Sequence, residues 1–205
     1  NDIYIAQTGT GLTLTIDQIG ATNTVGTSSS RATLSGTSMT VDIDQIGDSN
    51  SFLASILQGN SSSWDWSVTG DSNTGTFTVG GTGDVASSDF DYTTIGDSNT
   101  FVWTQGAAAT ATGGNQDFTI TGTSNAYTGT CEVVGCINNW TISGNSNTIT
   151  TTQTGKADHQ ITASLTGSSN TVTIDQVDTT STNVVNLIST TTSGTIDVDQ
   201  CASGC

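Results

Sequence analysis

The side chains able to do acid–base, nucleophilic or metal chemistry are few in this chain. Its 205 residues include two basic residues, Arg31 and Lys156, one histidine, His159, eighteen acids and four cysteines. Catalysis needs several polar groups of tunable protonation converging on one place. A lone histidine and a lone lysine with no nucleophile-elbow sequence do not supply that. The chain therefore reads as a non-enzyme, and His159 as an exposed strand-end or turn residue. Asp84, Asp89 and Asp91 fall in a Gly/Ser-rich stretch over 81–91. Paired acids cleave glycosides and clustered carboxylates suit calcium. The Gly-Gly-x-Gly-x-Asp calcium repeat is absent, so these read as solvated loop acids, with no cofactor expected and calcium as the one candidate.

The cysteines form two local pairs, Cys131 with Cys136 and Cys201 with Cys205. Isolated pairs suit disulfides in an oxidising compartment better than a zinc site. Cys131 and Cys136 would clip a loop, whereas Cys201 and Cys205 would close a small ring or link to a neighbouring subunit. Four cysteines permit three pairings, and their spacing does not choose among them. Asn60 and Asn139 head formal glycosylation sequons.

Composition narrows the class further. A formal net charge of −16 with two cations argues against nucleic acid and anionic membrane as partners. No run of apolar residues reaches the roughly 20 needed to span a bilayer, so no membrane insertion is expected. A start at Asn1 rather than Met reads as a removed signal peptide, hence a secreted, extracellular protein. There is no proline, and Thr, Ser, Gly, Asn, Ile and Val dominate. With no 3.6-residue apolar period, the chain is expected to be all-β.

These residues sit on a repeat. The tetrapeptide Gly-x-[Ser/Thr]-Asn opens at Gly20, Gly47, Gly70, Gly96, Gly122, Gly144 and Gly167 and closes at Asn23, Asn50, Asn73, Asn99, Asn125, Asn147 and Asn170. Successive asparagines lie 27, 23, 26, 26, 22 and 23 residues apart, a period typical of stacked supersecondary units. The residues two and four places before each Gly form an inward column: Ile16/Gln18, Ile43/Gln45, Trp66/Val68, Tyr92/Thr94, Phe118/Ile120, Trp140/Ile142 and Ala163/Leu165. Inward alternation resumes after the Asn, as in Phe101/Trp103/Gln105, Ile149/Thr151/Gln153 and Val172/Ile174/Gln176. A coil is thus strand, tight turn, strand and a looser turn that absorbs length variation, with Gly and Asn tolerating positive φ in the tight turn. The prediction is a single β-solenoid domain over 1–205, with two main strands per coil and about 7–8 coils, about 40 Å long.

Several units read Gln-x-Gly-x-x-Asn, as at Gln18 and Gln45, and three place a Gln six residues after the Asn, at Gln105, Gln153 and Gln176. This resembles the repeat of curlins, the subunits of bacterial curli fibres. The resemblance implies a two-sheet solenoid with inward Asn and Gln in hydrogen-bonded ladders and subunits that polymerise outside the cell. Longer units, aliphatic replacements of the first Gln and the cysteine pairs depart from the curlin pattern. Independently of it, Trp66, Tyr92, Phe118 and Trp140 in one column suit cross-β stacking.

A solenoid leaves strand edges at its ends, and this chain opens on strand-like Ile3, Ile5 and Gln7 and closes on Ile196, Val198 and Gln200. Head-to-tail use of such edges does not close, so it builds a filament of the chain with itself. The alternative is a non-polymerising binding module whose Thr-rich face meets ice, glycan or a cell surface. Outward Thr119/Thr121, Thr141/Ser143 and Thr148/Thr150 suggest that face, although Asp17/Ile19, Asp44/Ile46 and Thr93/Ile95 break the column.

Overall fold

The computed structural model describes residues 2–27, 29, 32–80, 86–87, 89–106, 112–132, 134–154, 158–177 and 183–201, without the side chains of 55–59, 112–113 and 201. Arg31, Asp84, Lys156 and Cys205 lie outside the described residues, as does the side chain of Cys201. Nineteen strands follow in order. They are β1 (Asp2–Ile3), β2 (Ala6–Thr10), β3 (Thr13–Ile19), β4 (Thr24–Val25), β5 (Ala32–Thr37), β6 (Thr40–Ile46), β7 (Ser51–Asn60), β8 (Ser63–Thr69), β9 (Thr74–Val79) and β10 (Asp89–Ile95). The series continues with β11 (Thr100–Gln105), β12 (Thr112–Thr121), β13 (Ala126–Cys131), β14 (Val134–Ser143), β15 (Thr148–Thr154), β16 (Gln160–Ser168), β17 (Thr171–Val177), β18 (Val184–Thr192) and β19 (Thr195–Cys201). No helix occurs among the described residues.

The strands form two parallel sheets stacked as a β-solenoid, as the repeat predicts. The eleven-strand sheet runs β1, β4, β7, β9, β11, β13, β15, β17, β19, with β2 beside β5 and β5 beside β7. In it β1 and β2 share one rung, and β4 and β5 share the next. The eight-strand sheet runs from β3 through β6, β8, β10, β12, β14 and β16 to β18. Each coil takes one rung from each sheet. Register is direct, so the column Ile16, Ile43, Trp66, Tyr92, Phe118, Trp140 and Ala163 is a column of paired residues.

The tight turns differ from expectation in one respect. Positive φ falls on the Gly and on the third residue, from Thr22 through Ser49, Ser72, Ser98, Ser124 and Ser146 to Ser169, rather than on the Asn. Asn is required for its side-chain bonds. The Gly is required doubly, because a Cβ on Gly122 would lie 2.0 Å from the carbonyl oxygen of Gly96 in the turn beneath. An eighth turn over 191–194 has Ser193 at φ 59° but Thr191 and Gly194 where the others have Gly and Asn, which hid it in the sequence.

Inside, every predicted inward pair before the turns is buried, and the two sheets zip aromatic rings between them. Trp66, Tyr92, Phe118 and Trp140 share a column, yet among the described ring contacts only Trp66–Tyr92, at 5.2 Å, joins neighbours within it. The others reach across: Tyr92 stacks on Phe101 at 4.0 Å, Phe118 meets Tyr127 at 4.7 Å, and Tyr127 meets Trp140 at 6.0 Å. Indole and phenyl rings are too wide to lie flat in successive rungs about 4.8 Å apart while filling the space between the sheets, so they interleave. Gly75 makes room for this, since a Cβ there would lie 1.9 Å from the Trp66 ring.

Three local expectations are corrected. His159 is fully buried, because Asp158 takes φ 64° and turns it onto the inward side with Ile161. Asp89 and Asp91 stand on strand β10, not in a loop. Cys136, expected to help clip a loop, stands on β14, which runs beside β12 from Val134 onward. Cys131 and Cys136 are disulfide-bonded and both buried, linking β13 to β14 in the interior.

Candidate functional site: the two open ends of the stack

One ladder of turn asparagines spans the seven tight turns, and shorter glutamine ladders lie toward each end of the stack. In the first, the main-chain N–H of each turn Asn donates to the side-chain oxygen of the next: Asn23 to Asn50 at 2.9 Å, Asn50 to Asn73 at 2.7 Å, and Asn73 to Asn99 at 2.8 Å. It continues from Asn99 to Asn125, Asn147 and Asn170 at 2.8–2.9 Å. The side-chain amides of Asn23 and Asn50 donate to the Gly carbonyls of their own turns. Those of Asn125, Asn147 and Asn170 donate to the preceding turn, at Gly96, Gly122 and Gly144. Asn99→Leu keeps the branching and heavy-atom count of the side chain but leaves the buried N–H of Asn73 without an acceptor. It is expected to cost about 1–3 kcal/mol, read as a lower urea midpoint at an unchanged m-value.

The inward glutamines divide between the sheets. In the eight-strand sheet Gln45 donates to Gln18 at 2.8 Å, and the Trp66 indole donates to Gln45 at 3.2 Å. In the eleven-strand sheet Gln176 donates to Gln153 at 2.7 Å and Gln200 to Gln176 at 2.8 Å. Gln105 instead accepts from Gln116 across the interior at 2.9 Å. In each same-sheet pair the later rung donates to the earlier one.

Acids mark the outer surfaces. Asp48, Asp71 and Asp97 share a turn position, and the side-chain oxygen of each accepts a main-chain N–H from the following turn, at Asp71, Asp97 and Thr123 respectively. On the outer face of the eight-strand sheet, Asp42, Asp65, Asp91 and Asp117 stack in one column. Partial burial, then the carboxylates of Asp42 and Asp44, hold Asp65 above the ordinary aspartate value of 3.8. Burial, then Asp117, Asp65 and Asp89, do the same for Asp91. A folded value above the unfolded one means that the folded state binds the proton more readily, so stability is gained as pH falls through the raised values toward 3.8. The protein is therefore expected to resist urea better near pH 4 than at pH 7, and Asp91→Asn to flatten that dependence. Among the described residues no three His, Cys, Asp or Glu side chains are placed to hold a metal ion.

The ends carry the predicted edge residues. At one end β1–β2 and β3 are outermost; at the other, β19 and β18. The strand expected to run unbroken through Ile3, Ile5 and Gln7 is divided into β1 and β2, because the next rung is itself divided into β4 and β5. Following the register across the eleven-strand sheet, Ile3 and Ile196 occupy the same column, which passes through Val25, Phe52, Phe101, Ile149 and Val172. Gln7 shares its column with Gln105, Gln153, Gln176 and Gln200. Ile5 immediately precedes Ala6, the partner of Thr33, and so stands in the column of Ala32, Ala54, Phe77, Ile174 and Val198. Val172 and Ile174 are fully buried, whereas Ile196 and Val198, one rung further, are each 38% exposed because no described residue packs over them.

The sequence reading missed three features here: the matching columns, which require the register; Gly75, which looks like an ordinary strand glycine; and the threonine lattice of the eleven-strand sheet. There Thr76, Thr128, Thr150 and Thr173 share one outward column, with Val102 between Thr76 and Thr128, and Thr78, Thr104, Thr130 and Thr152 form the next. The breaks at Asp17/Ile19, Asp44/Ile46 and Thr93/Ile95 belong to the other sheet, as do Thr119/Thr121 and Thr141/Ser143, and of the pairs that suggested the face only Thr148/Thr150 stands on this one. Of the sequon asparagines, Asn139 donates to Asp117 at 2.7 Å and to Asn115 at 3.0 Å. No family model, curated protein or solved structure matches this chain.

Proposed function

We propose that this chain is a structural subunit that joins end to end with copies of itself into an extracellular filament. The observation that carries the reading is the column match between the ends: Ile3, Ile5 and Gln7 at one, Ile196, Val198 and Gln200 at the other. A second copy would cover the exposed apolar pair Ile196/Val198 with residues of their own kind, and Gln7 could donate to the open Gln200 oxygen in the direction the ladder already takes. Orientation follows from charge. Pairing two β19 strands with each other would set Asp197 and Asp199 against their equals, which is unfavourable, whereas head-to-tail contact sets them near Tyr4 and Ala6. Such contact is heterologous and does not close. The Cys131–Cys136 disulfide supports an oxidising compartment, hence secretion. Light scattering and negative-stain images across a concentration and salt series test this. Fibres that grow faster as salt screens the net charge are expected; a protein that remains monomeric throughout sinks the proposal.

A second reading, a monomeric binding module, is favoured by the threonine lattice. Its hydroxyls and methyls repeat at about 4.8 Å between rungs and about 6.6 Å along each strand, an array interrupted at Val102 and suited to an ordered water or crystal face. Thermal hysteresis in unassembled protein would favour it, and ordinary freezing behaviour would remove it.

A further inference from the structure

We infer that copies join by strand replacement: β19 of one copy takes the place that β1–β2 hold in the next, so that β18 pairs directly with β3. This deepens the end-to-end reading and rests on it. The eleven-strand sheet has nine rungs, because β1 with β2 and β4 with β5 share theirs, and the other sheet has eight. Stacking whole copies with β19 against β1–β2 therefore leaves one rung position unfilled between β18 and the next β3. The inward residues Val185 and Leu187 on one side, and Leu14 and Ile16 on the other, would face that gap. Advancing the second copy by one rung closes the gap, and β19 and β1–β2 then claim the same position.

Two independent observations favour the closed arrangement. The competing strands carry interchangeable inward residues, Ile/Val/Gln for Ile/Ile/Gln. Of the two, β19 is unbroken over seven residues and bonded through Gln200, while β1–β2 is interrupted, with Tyr4 60% exposed and every residue of β2 exposed. The second observation is Gln18. It is only 4% exposed; its oxygen accepts from Gln45, and its amide nitrogen has no acceptor among the described residues. Among the described residues, it is the one buried side-chain group lacking a partner that stands on an outermost strand. By the direction of the glutamine pairs, in which the later rung donates to the earlier, its acceptor belongs one rung before β3. The Gln18 column runs through Gln45, Val68, Thr94, Ile120, Ile142 and Leu165 to Ser189 on β18. Pairing β18 with β3 brings the Ser189 hydroxyl oxygen to that position. Replacement of one strand by its equivalent from another copy is a known route to open polymers.

The test ties β2 down. Ala6 and Thr33 are register partners on the outer face, so Ala6→Cys with Thr33→Cys in the full chain can form a disulfide within one copy. The oxidised variant is expected to lose fibre elongation, and the reduced variant to elongate like the parent in the same reductant. Elongation of the oxidised variant at the parent's rate overturns the inference. A second experiment mixes proteins that each carry one added cysteine beside the native four. Thr15→Cys with Asn186→Cys, which share an outward column of the eight-strand sheet, is expected to crosslink between copies. Tyr4→Cys with Asp197→Cys, brought together only by whole-copy stacking, is not. The reverse pattern overturns strand replacement while leaving end-to-end assembly intact, and a parent that forms no fibres overturns both.

Discussion

Gly122→Ala is expected to destabilise the protein by more than about 4 kcal/mol, the range reserved for backbone strain and steric overlap that cannot relax. Two effects add at this position. The backbone holds φ at 137°, a conformation that a Cβ disfavours. The added atom would also fall 2.0 Å from the Gly96 carbonyl oxygen and 2.7 Å from its carbon, atoms fixed by the turn beneath. Relief would require prising apart two rungs joined by main-chain bonds, including Gly96 N–H to Thr121 at 3.0 Å and Ser98 N–H to Thr123 at 3.0 Å. Equilibrium urea unfolding of the variant checks this; loss of less than about 1 kcal/mol would show that the stacked turns are looser than the geometry requires.

Phe101→Ala is expected to cost about 3–5 kcal/mol, the usual range for removing a fully packed aromatic ring. Phe101 touches rings from both sheets and several rungs: Tyr92 at 4.0 Å, Trp66 at 5.1 Å, Tyr127 at 5.7 Å, Phe90 at 6.0 Å and Phe118 at 6.3 Å. The solenoid repeats its contacts only between neighbours, so the void would lie where the aromatic cluster is densest and lose contacts with the rungs above and below. Urea unfolding followed by indole fluorescence reads both the stability loss and the disturbance at Trp66 and Trp103. A change within about 0.5 kcal/mol of the parent, the range of surface substitutions, would contradict the interleaved core.

Much of this was legible in the sequence. The Gly-x-[Ser/Thr]-Asn period located seven tight turns, and alternation placed the buried residues on either side of them, because a strand's two faces are decided locally. What escaped depends on the third dimension. The eighth turn over 191–194 keeps the backbone shape through Ser193 without the Gly and Asn that mark the others. Gly75 matters only because the Trp66 ring occupies the space where its side chain would be. His159 was misplaced because one residue of positive φ at Asp158 reverses its face. The threonine lattice was obscured because successive strands in the chain alternate between sheets, so reading outward pairs in sequence order mixed two different surfaces. The column match of the two ends required the register of every rung between them.

The most direct measurement is the axial rise per subunit in fibres of the purified protein, by helical reconstruction from electron micrographs. Strand replacement predicts eight rungs per copy, about 38 Å at about 4.8 Å per rung, with strands perpendicular to the fibre axis. Absence of fibres at any concentration or salt would contradict the central claim of end-to-end assembly. A rise of about 43 Å, nine rungs, would keep that claim and contradict the strand replacement built on it.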